Sequence, residues 1–296
     1  MNPLSLDHEA NYRAWKEQKL TDYPTTLADL VVEVEDPFAM TRGEVEAILS
    51  RCAKSNMALF CLTHPDRIQQ NPLPAMTACL GISQIDHNLG ADGEGLSALT
   101  PGGSAHAPFA HYIPYRQAAI GWHTDGYYNP ADHPVQALCL YCERPAHEGG
   151  ENDLLDHDLV YIRLRDHHPE ALEALMQPDA MTIPARLEAD GSIARPDRVG
   201  PVFSFTSSGH LHMRFTNRTK SIRWRDDEAT RQAVEILRGM FASGEPCQFR
   251  GRLERGWGLI SNNVLHTRAA FSDPEGGEKR VLYRARFFDR LPGVGE

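Results

Sequence analysis

Four small groups of side chains in this sequence could do chemistry. Within residues 121–128, His123-Thr124-Asp125 sets an imidazole and a carboxylate two positions apart among strand-forming aromatics. Residues i and i+2 of an extended chain lean to the same side, so the pair could grip one metal ion. The plainer reading is a surface histidine beside an acidic turn. His64-Pro65-Asp66 repeats the spacing, but Pro65 cannot donate to a strand ladder and its surroundings read as strand running into loop. His210-Leu211-His212 offers two imidazoles on one strand face. Cys139-Leu140-Tyr141-Cys142 has the form Cys-x-x-Cys, yet it sits in an apolar, strand-like run where an offset of three sends the sulfurs to opposite faces.

A metal gripped by His123 and Asp125 needs a further ligand. His266, at the end of the strand-like run 256–265, is the candidate. Two histidines and one carboxylate on one face of a metal leave the opposite positions open. That suits non-haem Fe(II), which must take co-substrate and O₂ together. Zinc more often takes histidine and cysteine in a closed tetrahedron.

The elements that would carry these residues are mostly short strands. Continuous or alternating apolar runs mark strands at 30–34, 57–62, 135–142 and 280–288, and less firmly at 79–85. Segments 202–207 and 210–215 form a hairpin across Ser208-Gly209. Helices are expected at 7–20, with Tyr12, Trp15 and Leu20 packing, after the Thr41-x-x-Glu44 capping box, and at 158–166 and 169–176. Another covers 227–241, where Ala233, Val234, Leu237, Met240 and Phe241 make one stripe before Gly244. Segments 68–76, 90–103 and 184–200 read as loops. The expected fold is mainly β with helical additions (α+β), a sandwich or barrel.

Composition narrows the class. The chain has 296 residues and a net charge of −10, which argues against general nucleic-acid or anionic-membrane binding. No apolar run reaches the roughly 20 residues of a membrane span, and the beginning lacks a signal-peptide pattern. Six scattered cysteines then read as reduced thiols in the cytoplasm.

Four motifs in order carry a more specific resemblance: Trp122-His123-Thr124-Asp125, Gly149-Gly150-Glu151-Asn152, Asn262 to His266, and Arg280-Val281-Leu282-Tyr283-Arg284. Over roughly residues 110–290 the chain resembles the taurine dioxygenase (TauD/TfdA) family of Fe(II)/2-oxoglutarate oxygenases. The resemblance implies a single domain, 1–296, with N-terminal helices, strands and loops over 1–110 and a double-stranded β-helix (jelly-roll) core over 111–290. It implies Fe(II) on His123, Asp125 and His266, with Arg280 forking the distal carboxylate of 2-oxoglutarate.

Asn152 stands where the family usually has threonine beside the co-substrate; its amide could donate in the same way. The resemblance implies that Arg284 faces an anionic part of the substrate or adds to the co-substrate site; four strand residues span about 13 Å, which favours separate jobs for the two arginines unless their side chains lean together. Periodicity alone gives another account, in which Val281, Tyr283, Ala285 and Phe287 are core and the arginines a solvated face. Tyr112, Tyr115, Tyr127, Tyr128 and Asn129 are candidate substrate contacts, each as well explained by packing. The basic group Arg214, Arg218, Lys220, Arg223 and Arg225, with no acid among them, reads first as a solvated hairpin end and second as a lid over an anion.

The activity implied is oxidation of a small, anionic molecule, coupled to conversion of 2-oxoglutarate and O₂ into succinate and CO₂. Related halogenases lack the carboxylate, so Asp125 points to hydroxylation or another oxidation. A non-catalytic jelly-roll binding or scaffold protein, or an oxygenase acting on a macromolecule, are the alternatives. A homo-oligomer is compatible with either.

Overall fold

Five of the apolar runs pair around one another with a short edge strand, in a six-stranded sheet. Its order is Val31–Val34, Met57–Leu62, Trp257–Ser261, Ala137–Arg144, Val281–Phe287 and Ser97–Leu99. The first two strands run parallel and the other neighbours antiparallel. A parallel pair needs a crossover, and helix Arg42–Ser55 supplies it. The helix starts at the expected capping box: Thr41 Oγ1 accepts the Glu44 N–H at 3.3 Å and the Glu44 carboxylate accepts the Thr41 N–H at 2.6 Å. It ends at Asn56 in the left-handed conformation, φ 58°.

The structure is a computed structural model describing residues 8–102, 112–188, 190–220, 222–244 and 247–293. It divides into two compact units. The sheet belongs to the unit made of Pro24–Ile120, Val135–Leu154 and Phe249–Glu296. On one of its faces Ile48 and Cys52 of the helix pack with Val34, Phe60, Cys139, Ile260, Ala285 and Phe287. Each aliphatic or aromatic side chain so buried contributes about 1.5–3 kcal/mol. The opposite face is buried as well. Leu59, Leu140 and Leu259 share a cavity with Asn152 and Leu154 of a second sheet. In that sheet Phe249–Gly251 lies beside Asn152–Leu155, which neighbours Leu265–Arg268.

The other unit comprises Met1–Tyr23, Gly121–Pro134 and Leu155–Gln248. Its helices are Glu9–Leu20, His157–His167, Pro169–Leu175 and Glu228–Ser243. Asp227 caps the last by accepting the Thr230 N–H at 2.7 Å, and Gly244 closes it at φ 79°. The expected stripe is buried, and Phe241 meets Trp122 and Phe215 at ring centroids 5.5 and 5.3 Å apart. Helix Glu9–Leu20 is tied down by Lys19, whose ammonium lies 2.7 Å from both Asp156 and Asp158. The hairpin forms as expected, Phe203–Phe205 against Leu211–Met213.

Several expectations are corrected. Residues 68–76 are not all loop: helix Leu73–Cys79 forms there, with Pro72 and Pro74 at its start, where a missing N–H costs nothing. Its end displaces the strand expected from residue 79. The run 256–265 is two strands, Trp257–Ser261 and Leu265–Arg268, separated by a corner at Asn263, φ 51°. His266 therefore sits inside the second strand and not at the end of the first. Leu20 is 42 % exposed, and the buried end of its helix is Lys19. Segments 184–200 and 90–103 contain short strands, among them Arg198–Gly200 and Ser97–Leu99; residues 7, 103 and 189 of these expectations lie outside the described ones. Among the described residues no helix is long and apolar enough to cross a membrane.

Candidate metal and co-substrate site

His123 ends strand Ile120–His123, and its backbone is held on both sides. The Thr124 N–H donates to Phe215 O at 3.0 Å, the Phe215 N–H donates to Thr124 Oγ1 at 3.0 Å, and the Asn217 N–H donates to Trp122 O at 2.8 Å. The His123 Nε2 lies 3.7 Å from the buried Asp125 Oδ1, so these two are brought together as expected. Nδ1 of His123 is 3.0 Å from Gly121 O. A carbonyl only accepts, so Nδ1 carries the proton and Nε2 the lone pair.

In its own unit, buried His266 repeats the arrangement: Nδ1 is 3.0 Å from Val264 O, again the carbonyl two residues earlier. Both imidazoles are thus fixed in the tautomer that offers Nε2, the form a metal takes. The corner before His266 is pinned. The Asn262 N–H donates to Asn56 O at 2.8 Å, Asn262 Oδ1 accepts the Leu291 N–H at 3.1 Å, and Asn263 Nδ2 donates to Val135 O at 2.8 Å.

Arg280 is 4 % exposed, and its Nη1 is buried with no hydrogen-bond partner. Its guanidinium lies 5.0 Å from the Phe271 ring centroid, and no ion pair to it forms among the described residues. Burial pushes its pKa below the usual arginine range, with the Asp273 carboxyl opposing. Cys142 beside it is no counter-charge, since burial pushes that thiol up to about 12. A buried cation without an anion is costly, so the donor set fits a carboxylate ligand.

Gly149-Gly150 shapes this corner. A Cβ on Gly149 would stand 2.3 Å from Ala270 O, and its φ of 72° already favours glycine. A Cβ on Gly150 would come within 3.9 Å of Arg280 Nε. Asn152 also has a structural bond. Its Nδ2 donates to Thr267 O at 2.6 Å, tying down the residue after His266, while Oδ1 is buried with no partner.

Further along the strand, Arg284 Nη2 donates to Asn88 Oδ1 at 3.3 Å, and Arg286 pairs with Asp86 at 2.6 Å. The arginines are buried and not a solvated face. Arg286 and Arg268 were not among the expected site residues. The Arg268 guanidinium donates to the carbonyls of Pro114, Arg116 and Ala118 and lies 4.9 Å from the Phe271 ring. Burial, with Arg280 nearby, pushes its pKa down to about 10. The signal was present: Arg268 stands two residues after His266 on a strand.

The tyrosines divide. Tyr115 is buried, with its hydroxyl 3.5 Å from Gly90 O, while Tyr112 is half-buried. Tyr127 and Tyr128 follow Gly126 (φ 68°) in a turn closed by the Asn129 N–H on Gly126 O at 2.7 Å, and their rings meet edge-on at 5.2 Å. The basic group is not a bare hairpin end: two of its members take acids from elsewhere in the chain. Arg223 pairs with Asp197, and Arg225 with Asp179 at 3.1 Å and Asp227 at 2.7 Å. Of the decoys, Asp66 pairs with Arg255 at 2.7 Å, and the exposed His210 has its Nδ1 3.0 Å from Ser208 Oγ. Cys139 faces the helix-covered core while Cys142 pairs in register with Leu282, on opposite faces as expected.

The model of the "Taurine catabolism dioxygenase TauD, TfdA family" matches residues 75–286, well over half of the chain. The chain belongs to the TauD/TfdA family. Among curated relatives of this TauD/TfdA chain are two uridine-5'-phosphate dioxygenases. One, from Streptomyces sp, is 34 % identical over 131 residues, 44 % of this chain and 44 % of the relative. The other, from Amycolatopsis sp, is 30 % identical over 178 residues, 56 % of this chain and 60 % of the relative. The matched stretch thus spans about half the length of these relatives.

Among solved structures, the non-heme iron oxygenase OrfP in complex with Fe and alpha-ketoglutaric acid aligns at TM-score 0.60, with 17 % identity, covering 84 % of this chain and 81 % of the other. An asparagine oxygenase in complex with Fe(II), 3-hydroxyasparagine and succinate aligns at TM-score 0.56, with 14 % identity and coverages of 87 % and 93 %. The TauD/TfdA chain therefore has the expected fold, a mainly β jelly roll with helical additions.

Proposed function

We propose that this chain is an Fe(II)/2-oxoglutarate-dependent oxygenase that hydroxylates a small anionic molecule, releasing succinate and CO₂. His123, Asp125 and His266 hold the iron, and Arg280 holds the distal carboxylate of 2-oxoglutarate. The observation that carries the reading is the matched pair of histidine tautomers, one beside a buried carboxylate. Iron and 2-oxoglutarate, when bound, supply the activation of O₂. The chain's own residues do the rest. The carbonyls of Gly121 and Val264 fix the imidazoles, the Thr124–Phe215 bonds hold Asp125 in line, and Phe271 lies against the Arg280 guanidinium and screens it from water.

Asn152 positions the His266 strand through its bond to Thr267 O and stands beside the co-substrate in this reading. Tyr112, Tyr127, Tyr128, Asn129 and Arg284 are the residues this reading assigns to contact with the substrate. An anionic substrate is supported by Arg284 and by the relatives named for a nucleoside monophosphate. Both units serve this one activity as a single dioxygenase domain, and the protein works in the cytoplasm with its six cysteines as thiols.

The test is succinate release with iron, ascorbate and 2-oxoglutarate across small sulfonates, carboxylates, amino acids and nucleoside monophosphates. Replacing His123 or Asp125 by alanine should abolish it; turnover that survives both replacements ends the proposal. A scaffold protein of the same fold would bind neither iron nor 2-oxoglutarate in an anaerobic titration. An oxygenase of nucleic acid would bind it at low salt, which a net charge of −10 opposes.

A further inference from the structure

The turn that follows Asp125 is held by two arginines, Arg214 and Arg218, with Arg195 and Arg198 of a second stretch of the unit close by. Arg214 Nε donates to Tyr127 O at 2.8 Å, and Arg218 Nη1 donates to the Tyr127 hydroxyl at 3.1 Å. The remaining donors of Arg214 go to Met181 O at 3.0 Å, Gly200 O at 3.3 Å and Arg198 O at 2.7 Å, so it is a structural hub with little left to offer a ligand. Arg198, whose carbonyl it holds, has its own Nε buried with no hydrogen-bond partner. Arg195 reaches Pro184 O at 2.6 Å and Pro196 O at 3.2 Å, so its hydrogen bonds go to neutral acceptors, although the Asp197 carboxylate, paired with Arg223, is close enough to act on it.

Like charges are therefore crowded at the end of this turn. The Arg195 pKa is pushed down first by burial and then by Arg198 and Arg186, with Tyr127 and Tyr128 close enough to act in the opposite direction. Arg214 is pushed down to about 10 by burial and then by Arg195. The nearby acids are committed elsewhere. Asp197 accepts the Ala185 N–H at 2.7 Å and pairs with Arg223, and Glu188 is 3.5 Å from Arg186. Gathering guanidiniums without matching carboxylates is unfavourable unless an anion completes them, and planar forked donors suit a tetrahedral oxyanion with several acceptor oxygens.

We propose that Arg195, Arg198 and Arg218, arrayed around Tyr127, anchor the phosphate of a phosphomonoester substrate. The proposal rests on the oxygenase reading above and assigns the substrate's anionic group to the unit that carries His123 and Asp125. Tyr127 lies two residues from Asp125, so an anchored phosphate leaves the adjoining carbons of a small ester within reach of the residues that would hold iron. The Arg218–Tyr127 bond is then a positioning contact.

The test uses calorimetric titration of the anaerobic protein loaded with Fe(II) and 2-oxoglutarate. The probes are uridine 5'-monophosphate, uridine and inorganic phosphate. The monophosphate should bind about 10- to 150-fold more tightly than uridine, the preference should shrink as salt rises, and phosphate should compete. The Arg198→Gln/Arg218→Gln protein should bind both nucleosides alike. Arg218→Gln alone, on an exposed side chain that cannot endanger the fold, should lose part of the preference, and Arg218→Lys should restore some of it. Equal binding of monophosphate and uridine by the natural protein, no saturable binding of any probe, or an undiminished preference in the double variant overturns the anchor. The visible absorption of the Fe(II)–2-oxoglutarate complex separates the two readings: present without phosphate preference, only the anchor falls; absent, the oxygenase reading falls first.

Discussion

Arg280 and Arg286, six positions apart at the two ends of one strand, are both buried. At one end Arg286 meets Asp86 at 2.6 Å, and the pair closes on itself. At the other end Arg280 has an unpartnered Nη1, an aromatic ring and the carboxyl of Asp273 on its backbone, but no ion pair. Identical residue types at similar depth thus do opposite work. The paired guanidinium is architecture, and the other, among the described residues, has no carboxylate paired with it, which is what the proposed role in holding 2-oxoglutarate requires. Burial alone does not distinguish them; the presence of a fixed counter-ion does.

The comparison can be broken most severely at its structural end. Asp86→Ala should strand the Arg286 charge and cost about 3–5 kcal/mol, while the double change to Asp86→Leu with Arg286→Met should recover most of it. Urea unfolding measures both, and a mild Asp86→Ala would mean the pair is not structural. Arg280→Gln should behave inversely. It should leave unfolding nearly unchanged and weaken 2-oxoglutarate by about 10- to 150-fold in anaerobic titration, the worth of a charged hydrogen-bonded contact.

Gly149→Ala tests whether the corner at the functional end is built by backbone. Strain against Ala270 O and an unfavourable φ should cost about 1–3 kcal/mol in unfolding and weaken 2-oxoglutarate as well. Phe271→Leu removes only the ring beside Arg280. Losing a cation–π contact of about 0.5–1 kcal/mol should weaken the co-substrate a few-fold and leave the Asp86–Arg286 end untouched.

The sequence showed the two-residue spacing of His123 and Asp125, and the structure keeps it because both stand where the backbone is pinned by residues 215–217. The strand Val281–Phe287 was visible from its period of two, but its period misled about exposure. Both faces of the strand are buried, its arginines included, and periodicity along one strand cannot show that its second face is covered as well. Helix Leu73–Cys79 was hidden by two prolines that a helix start tolerates. The corner at Asn263 was hidden because its left-handed residue is asparagine where glycine is the usual marker. The pairing of Asp86 could not be seen along the chain, since its partner lies 200 residues away in sequence; for Arg268 the spacing from His266 was visible, but the carbonyls it holds, about 150 residues away, were not.

The order of the six-stranded sheet has a consequence for how the protein is made. Val281–Phe287 lies between Ala137–Arg144 and Ser97–Leu99, although it emerges from the ribosome after both. Until then the long apolar strand Ala137–Arg144 has a bare edge, of the kind that templates aggregation. Trp257–Ser261, which joins it to Met57–Leu62, also comes late. Chains released before residue 281 should therefore be poorly soluble, and folding should be slow and largely post-translational, limited by contacts between distant stretches of sequence.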